Sequence, residues 1–133
     1  MTTVRSAKNK GSQFEMDSEA SLQQLYSDCF RTHERGYISE YDLQSKLEKK
    51  SFECKRLKSM SWNQAKSYLE KLIKRSPEGY KGYLLFKSNQ QPCLVMQFGK
   101  DNHLIVMEFE DLFGVPFIKH QSTRKREVKE NEC

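Results

Sequence analysis

Apolar residues in the first quarter of the chain recur three and four positions apart. Leu22, Leu25, Tyr26 and Cys29 keep this spacing, with Phe14 ahead of them, and predict a helix. Ser12 and Glu15 fit an S-x-x-E capping box, so the helix is expected to begin at Ser12 and to fade around Cys29 to Arg31. Thr32 to Gly36 reads as a polar turn. Gly36 to Leu43 alternates as a strand, or as an extended loop leading into one, and Leu47 to Lys50 reads as a hairpin-type connection. Ser51-Phe52-Glu53-Cys54-Lys55-Arg56 follows as a short strand. Alternation in a strand sends Phe52 and Cys54 into a core and sets Glu53 and Lys55 side by side on the other face. A second helix is capped by Ser59 or Ser61. Trp62, Ala65, Leu69, Leu72 and Ile73 make its buried stripe, Lys66, Lys71 and Lys74 dress its outer side, and Pro77 and Gly79 end it. Three strands come next, Tyr83 to Lys87, Cys93 to Phe98 and His103 to Phe109, the last two joined through the turn-rich Gly99 to Asn102. Asp111 to Phe113 begins a short terminal element. This order predicts an α/β fold, a central mixed β-sheet with a helix packed on each side.

Composition narrows the picture. At 133 residues the chain has the size of one ordinary domain. Residues 1–9 are expected to form a flexible basic arm, residues 10–118 the folded domain, and residues 119–133 a charged, disordered tail. The 23 Lys and Arg against 18 Asp and Glu leave a net charge of +5. Such an excess suits either a solvated surface or a polyanionic partner such as nucleic acid. Cys29, Cys54, Cys93 and Cys133 form no C-x-x-C pair and no histidine stands at zinc-ligand spacing, so no zinc site is expected. Cys54 and Cys93 lie in apolar runs and read as small buried hydrophobes. The polar N-terminus lacks the apolar stretch of a secretory signal, and no apolar run approaches the roughly 20 residues of a membrane span. A reducing, cytoplasm-like compartment is the expectation, with no membrane partner.

The candidate chemistry lies around the second predicted strand. Asp42 stands ahead of Glu53 with ten residues between them, and a hairpin would bring the two together with Lys55. Two carboxylates that hold a divalent cation, with a lysine beside them, can hydrolyse a phosphodiester. The metal polarises the phosphoryl oxygen and activates a water, and the ammonium steadies the developing charge.

This pattern resembles the PD-(D/E)XK nuclease superfamily, on Asp42, ten intervening residues, and Glu53-Cys54-Lys55. Asn9-Lys10-Gly11-Ser12-Gln13-Phe14-Glu15 is similar to the "N-(K/R)-G-x-x-F-E" motif of Holliday junction resolvases, both the archaeal type and the RecU-like type of Gram-positive bacteria and their phages. Gln64, eleven residues after Glu53, matches a glutamine that many members place beside the active site. The resemblance covers about Lys8 to Phe113. It implies a restriction-endonuclease-like fold and a metal-dependent endonuclease acting on DNA, most of all on four-way junctions, as a homodimer. It further implies Mg²⁺, with Mn²⁺ as a substitute, held by Asp42, Glu53 and the Cys54 backbone carbonyl. Lys55 would be the catalytic lysine, assisted by Glu15 and Gln64. Lys10, Arg31, Arg35, Ser39, Arg56 and Lys58 would contact DNA phosphates. Two positions depart from the family pattern. Tyr41 stands where proline precedes the aspartate, and the Gly- and Ser-rich loop before it is reduced to Gly36, Tyr37 and Ser39.

Each residue also has a plain structural role open to it. Glu15 can complete the capping box, Asp42 can be a turn or strand-end residue, and Gln64 a polar first-turn residue. Lys55 can belong to a solvated face with Lys49, Lys50, Arg56 and Lys58. Trp62 and the Phe and Tyr stripes suit a core better than a base-stacking platform. Two other functions stay open: a restriction- or repair-type endonuclease of the same superfamily, and an inactive DNA-binding module.

Overall fold

The computed structural model describes residues 13–31, 42–89 and 91–120, and for Asp42 the backbone alone. Helix α1 spans 13–22. Phe14, Asp17, Ser18, Ser21 and Leu22 are its buried positions, an i, i+3, i+4, i+7, i+8 stripe. The expected capping residue Ser12 lies outside the described residues. The helix ends about two turns earlier than its periodicity predicts. Gln24 donates its side-chain amide to the carbonyls of Ser21 (2.9 Å) and Pro116 (2.7 Å), and Gln23 donates to Cys29 (2.9 Å). Side-chain amides thus occupy carbonyl groups at the helix end and in the turn beyond it, and the chain leaves the helix. Leu25 stays 42% exposed, Cys29 is buried outside any helix, and Phe30–Arg31 becomes β1, an edge strand.

Strands β2 (Asp42–Ser45) and β3 (Lys50–Arg56) form the expected hairpin. Asp28 ties its turn, accepting from the Ser45 hydroxyl (2.7 Å) and the Leu47 amide (2.9 Å). Lys49 closes the turn at φ 55°. The strand expected from Gly36 is seen only from Asp42 on; residues 32–41 lie outside the described part.

Helix α2 (Trp62–Arg75) starts at Ser61. The Ser61 hydroxyl accepts from the Gln64 amide, and the Gln64 side chain accepts from the Ser61 amide, a reciprocal cap contributing about 1 kcal/mol. Its buried residues are Ala65, Leu69 and Leu72. Two expected members of that stripe are exposed. Trp62 is the first helical residue, a turn ahead of the first buried contact, and stays 63% exposed. Ile73 sits at the flank, against Gly82 of the next strand, where any Cβ would stand 3.0 Å from its Cγ1. Gly82 is therefore what lets this helix approach the sheet closely.

The helix returns the chain to β4 (Lys81–Lys87), which runs parallel to β3. β5 (Leu94–Phe98) and β6 (Leu104–Glu108) follow antiparallel. The link between them is a 3₁₀ turn in which Asp101 and Asn102 take positive φ, as the turn-rich Gly99 to Asn102 predicts. Helix α3 (Phe109–Phe113) ends at Gly114 with φ 74°. The six strands lie in chain order, β1 to β6, as one mixed sheet. One face, with Phe52, Cys54, Tyr83 and Leu85, meets α1, α3 and the segment after α3; the other, with Leu84, Phe86 and Met96, meets α2. Central β4 is buried on both faces, so its sequence is a continuous apolar run rather than an alternating one.

The segment after α3 crosses back over α1. The Ile118 amide donates to the Ser21 hydroxyl (2.8 Å), and the His120 amide to the Asp17 carboxylate (2.7 Å). Lys119 and His120, expected to open the tail, thus belong to the packed domain, and residues 121–133 lie outside the described part. Among the described residues no helix is long and apolar enough to cross a membrane.

Candidate active site around Glu53

Alternation in β3 separates its side chains as expected. Phe52 and Cys54 enter the core beneath α1 and α3, while Glu53 and Lys55 meet residues of α2. Glu53 is 1% exposed. Its Oε1 lies 3.1 Å from the Arg75 Nη2, and its Oε2 lies 3.3 Å from the Lys55 Nζ. The Lys55 ammonium also stands over the Tyr68 ring, 4.6 Å from its centroid. A buried carboxylate is tolerated only with cations and hydrogen bonds around it; Arg75 supplies a charged hydrogen bond and Lys55 an ion pair.

Arg75 and Tyr68 were not singled out from the sequence, yet a signal was there. Ala65, Tyr68, Leu72 and Arg75 fall at i, i+3, i+7 and i+10, so they share one helix face. A cation at the end of an apolar stripe implies an anion on the surface that the stripe covers.

Asp42 is the Cα partner of Glu53 across the β2–β3 ladder. The predicted proximity therefore holds for the backbone, and the Asp42 side chain lies outside the described part. The Cys54 carbonyl belongs to the same strand, where Cys54 is in register with Leu85. The Cys54 thiol is buried on the opposite face, and burial pushes its pKa well up. Burial likewise pushes the thiols of Cys29 and Cys93 to about 12, so these are inert core groups.

Glu15 approaches from α1. Burial raises its carboxyl from 4.5 to about 7, against the opposing pull of Arg31 and then Lys55. Its Oε1 is buried and has no hydrogen-bond partner among the described residues. The folded state thus holds a proton on Glu15 that the unfolded chain releases near pH 4.5. The stability this proton supplies is full below pH 4.5 and is lost as pH rises to 7. Glu15→Gln removes the penalty: at pH 8 the variant should exceed wild type by about 1–2 kcal/mol, allowing for partial solvent screening, and at pH 4 the two should match. Urea unfolding at both pH values measures this, and an equal offset at both would mean that the carboxyl titrates normally.

The other candidates fall at varied distances. Gln64 is exposed and committed to the α2 cap, about 16 Å along the helix axis from Arg75. Arg31 pairs with Glu19 (3.7 Å) on edge strand β1, and its backbone amide donates to the same carboxylate. Arg56 ends β3, its guanidinium donating to the Asn89 carbonyl at 3.5 Å. Lys58 is exposed, and its carbonyl accepts from Ser88. Lys10, Arg35 and Ser39 lie outside the described residues.

Among the described residues, no group of three or more His, Cys, Asp or Glu side chains is placed to hold a metal ion. The donor set expected here, two carboxylates and a main-chain carbonyl, includes the Asp42 side chain, which lies outside the described part. Its oxygen donors suit a hard divalent cation. Among the described side chains Glu53 alone of that set is seen, and its charge is met by Arg75 and Lys55. Comparison with protein-family models, with curated proteins and with solved structures returns no match.

Proposed function

We propose that this protein is a Mg²⁺-dependent endodeoxyribonuclease that cuts four-way DNA junctions. The observation that carries the reading is the register of β2 and β3. It sets Asp42 opposite Glu53, with Lys55 two residues on and beside the same carboxylate. Asp42, Glu53 and the Cys54 carbonyl would hold the cation, with Mn²⁺ as a substitute. Bound there, it supplies Lewis-acid polarisation of the phosphate and a water of lowered pKa. Lys55, held in place by Glu53 and Tyr68, presents its ammonium to charge that develops on the phosphate. Burial raises the Glu15 carboxyl to about 7, so it exchanges its proton around neutral pH, within electrostatic reach of Lys55. Arg31, Arg56 and Lys58 position the DNA through its phosphates, together with Lys10, Arg35 and Ser39. Two symmetric cuts in a junction call for a homodimer.

The ion pairs at Glu53 favour one other reading, a DNA-binding module in which they are purely structural. An end-labelled four-way junction, run beside a linear duplex of the same arm sequence with Mg²⁺, separates the two. Wild type should give paired symmetric nicks in the junction alone, and Asp42→Asn should give none. Equal cutting of both substrates would keep the nuclease and discard junction selectivity, leaving a restriction- or repair-type enzyme. Tight junction binding without any cutting would establish the binding module.

A further inference from the structure

Lys50 and Lys81 are partners in the parallel ladder of β3 and β4, so their Cα atoms stand about 4.8 Å apart and their side chains leave on the same face. Both reach one ring. The Lys50 ammonium lies 5.5 Å from the Tyr83 centroid and the Lys81 ammonium 6.0 Å. Tyr26 holds Lys50 further: the ammonium donates to its hydroxyl at 3.0 Å and stands 5.0 Å from its ring centroid. The Lys81 amide donates to the Lys49 carbonyl (2.9 Å) and so ties the β2–β3 turn, with the exposed Lys46 and Lys49, to the start of β4. Two ammonium groups that converge on one ring repel each other. Among the described residues, neither Lys50 nor Lys81 lies within ion-pair distance of a carboxylate. The Tyr26 oxygen accepts from Lys50 and keeps its own proton to donate. The cluster thus offers donors from two strands and a loop, and no acceptor of negative charge answers them.

We propose that Lys50, Lys81 and the Tyr26 hydroxyl form a phosphate-binding site at the turn end of the sheet. A phosphate group there takes charge-assisted hydrogen bonds from both ammonium groups and one from the phenol, and its charge offsets their repulsion. The cation–π contacts with Tyr26 and Tyr83 hold Lys50 in place beforehand, so less side-chain freedom is lost on binding. Three residues of β3, about 10 Å, and the opposite face of the sheet separate the site from Glu53. The phosphate belongs to a DNA backbone or to a small phosphate compound. DNA is the expected source, since Lys46 and Lys49 extend the basic surface and the chain carries a net charge of +5. Only that source, and not the site, rests on the reading of the protein as one that binds DNA.

The test uses the full chain, with no metal and no cutting. Inorganic phosphate is added at an ionic strength held constant with chloride, and backbone amides are followed by ¹H–¹⁵N NMR. In wild type the amides of Lys49, Lys50, Lys81 and Gly82 should shift together and saturate in the millimolar range. Lys81→Gln alters an exposed side chain and should weaken this binding about tenfold, the scale of one hydrogen bond to a charged group. No saturable shift in wild type, shifts spread evenly over the lysines of the whole surface, or undiminished binding by Lys81→Gln each overturn the proposal. The wild-type titration stands whether or not a variant folds. The source is read from a labelled four-way junction bound without Mg²⁺, by fluorescence anisotropy over a range of salt. With DNA as the source, Lys81→Gln should lower the slope of log affinity against log salt by about 1. An unchanged slope beside saturable phosphate binding keeps the site and assigns it to a small phosphate compound.

Discussion

Replacing Phe52 by alanine should lower folding stability by about 3–5 kcal/mol, the range for deleting a fully buried aromatic ring. Phe52 is wholly buried. Its ring stacks on Tyr83 at 5.2 Å and 20°, and it touches Tyr26 at 6.0 Å and Phe113 at 6.3 Å. These rings come from four separate parts of the chain, so no single local movement can refill the space. The loss is a large share of the 5–15 kcal/mol that a domain of this kind holds in reserve. It also reaches the candidate site, because Phe52 precedes Glu53 on the strand and anchors the opposite face. Urea unfolding gives the value. A change under about 1 kcal/mol would mean that this aromatic cluster is not the centre of the core. Phe52→Leu, which leaves less empty volume, should lose less than Phe52→Ala.

Lys55→Ala should slow junction cleavage about 10³-fold under single-turnover conditions, the scale of removing one well-placed donor to developing charge. The fold should hold. Lys55 is partly exposed, and its contacts include the Glu53 ion pair and the Tyr68 ring; taking a cation from the buried Glu53 should cost about 3 kcal/mol, within the stability of a domain of this size. Junction affinity should change by less than tenfold, since many phosphate contacts share that task. Lys55→Arg should not restore the rate, because a planar guanidinium is broader than an ammonium and hydrogen-bonds in a different geometry. Cleavage by Lys55→Ala within tenfold of wild type would remove Lys55 from the chemistry and return it to a charge partner of Glu53.

Much of the frame was legible in the sequence because it depends on neighbours along the chain. The Ser61–Gln64 cap, the turns at Leu47 to Lys49 and Gly99 to Asn102, and the alternation of Phe52, Glu53, Cys54 and Lys55 are all effects of a few residues. The hairpin that sets Asp42 opposite Glu53 is of the same kind, because its register follows from the short turn and from the buried face. Gln64 offers both a capping role and a place in a family pattern, and the cap is the role that local geometry shows. The same locality misled at the start of that helix. Trp62 has the spacing of a core residue but stands at the helix end, where spacing alone does not tell whether a sheet lies beneath.

By itself, then, the sequence determined most of the helices and strands, the mixed α/β class and the pairing of β2 with β3, but not edge strand β1. Helical period, strand alternation and turn chemistry act over a few residues and carry their own signal. The tertiary structure alone decided that α1 stops at residue 22, where Gln24 reaches Pro116, and that the segment after α3 returns to Asp17 and Ser21. It alone decided that Arg75 closes on Glu53 from across the α2 layer. Each of these contacts joins residues from 22 to 103 positions apart. Such a contact forms only once the sheet has assembled and burial leaves an amide or a carboxylate in need of a partner.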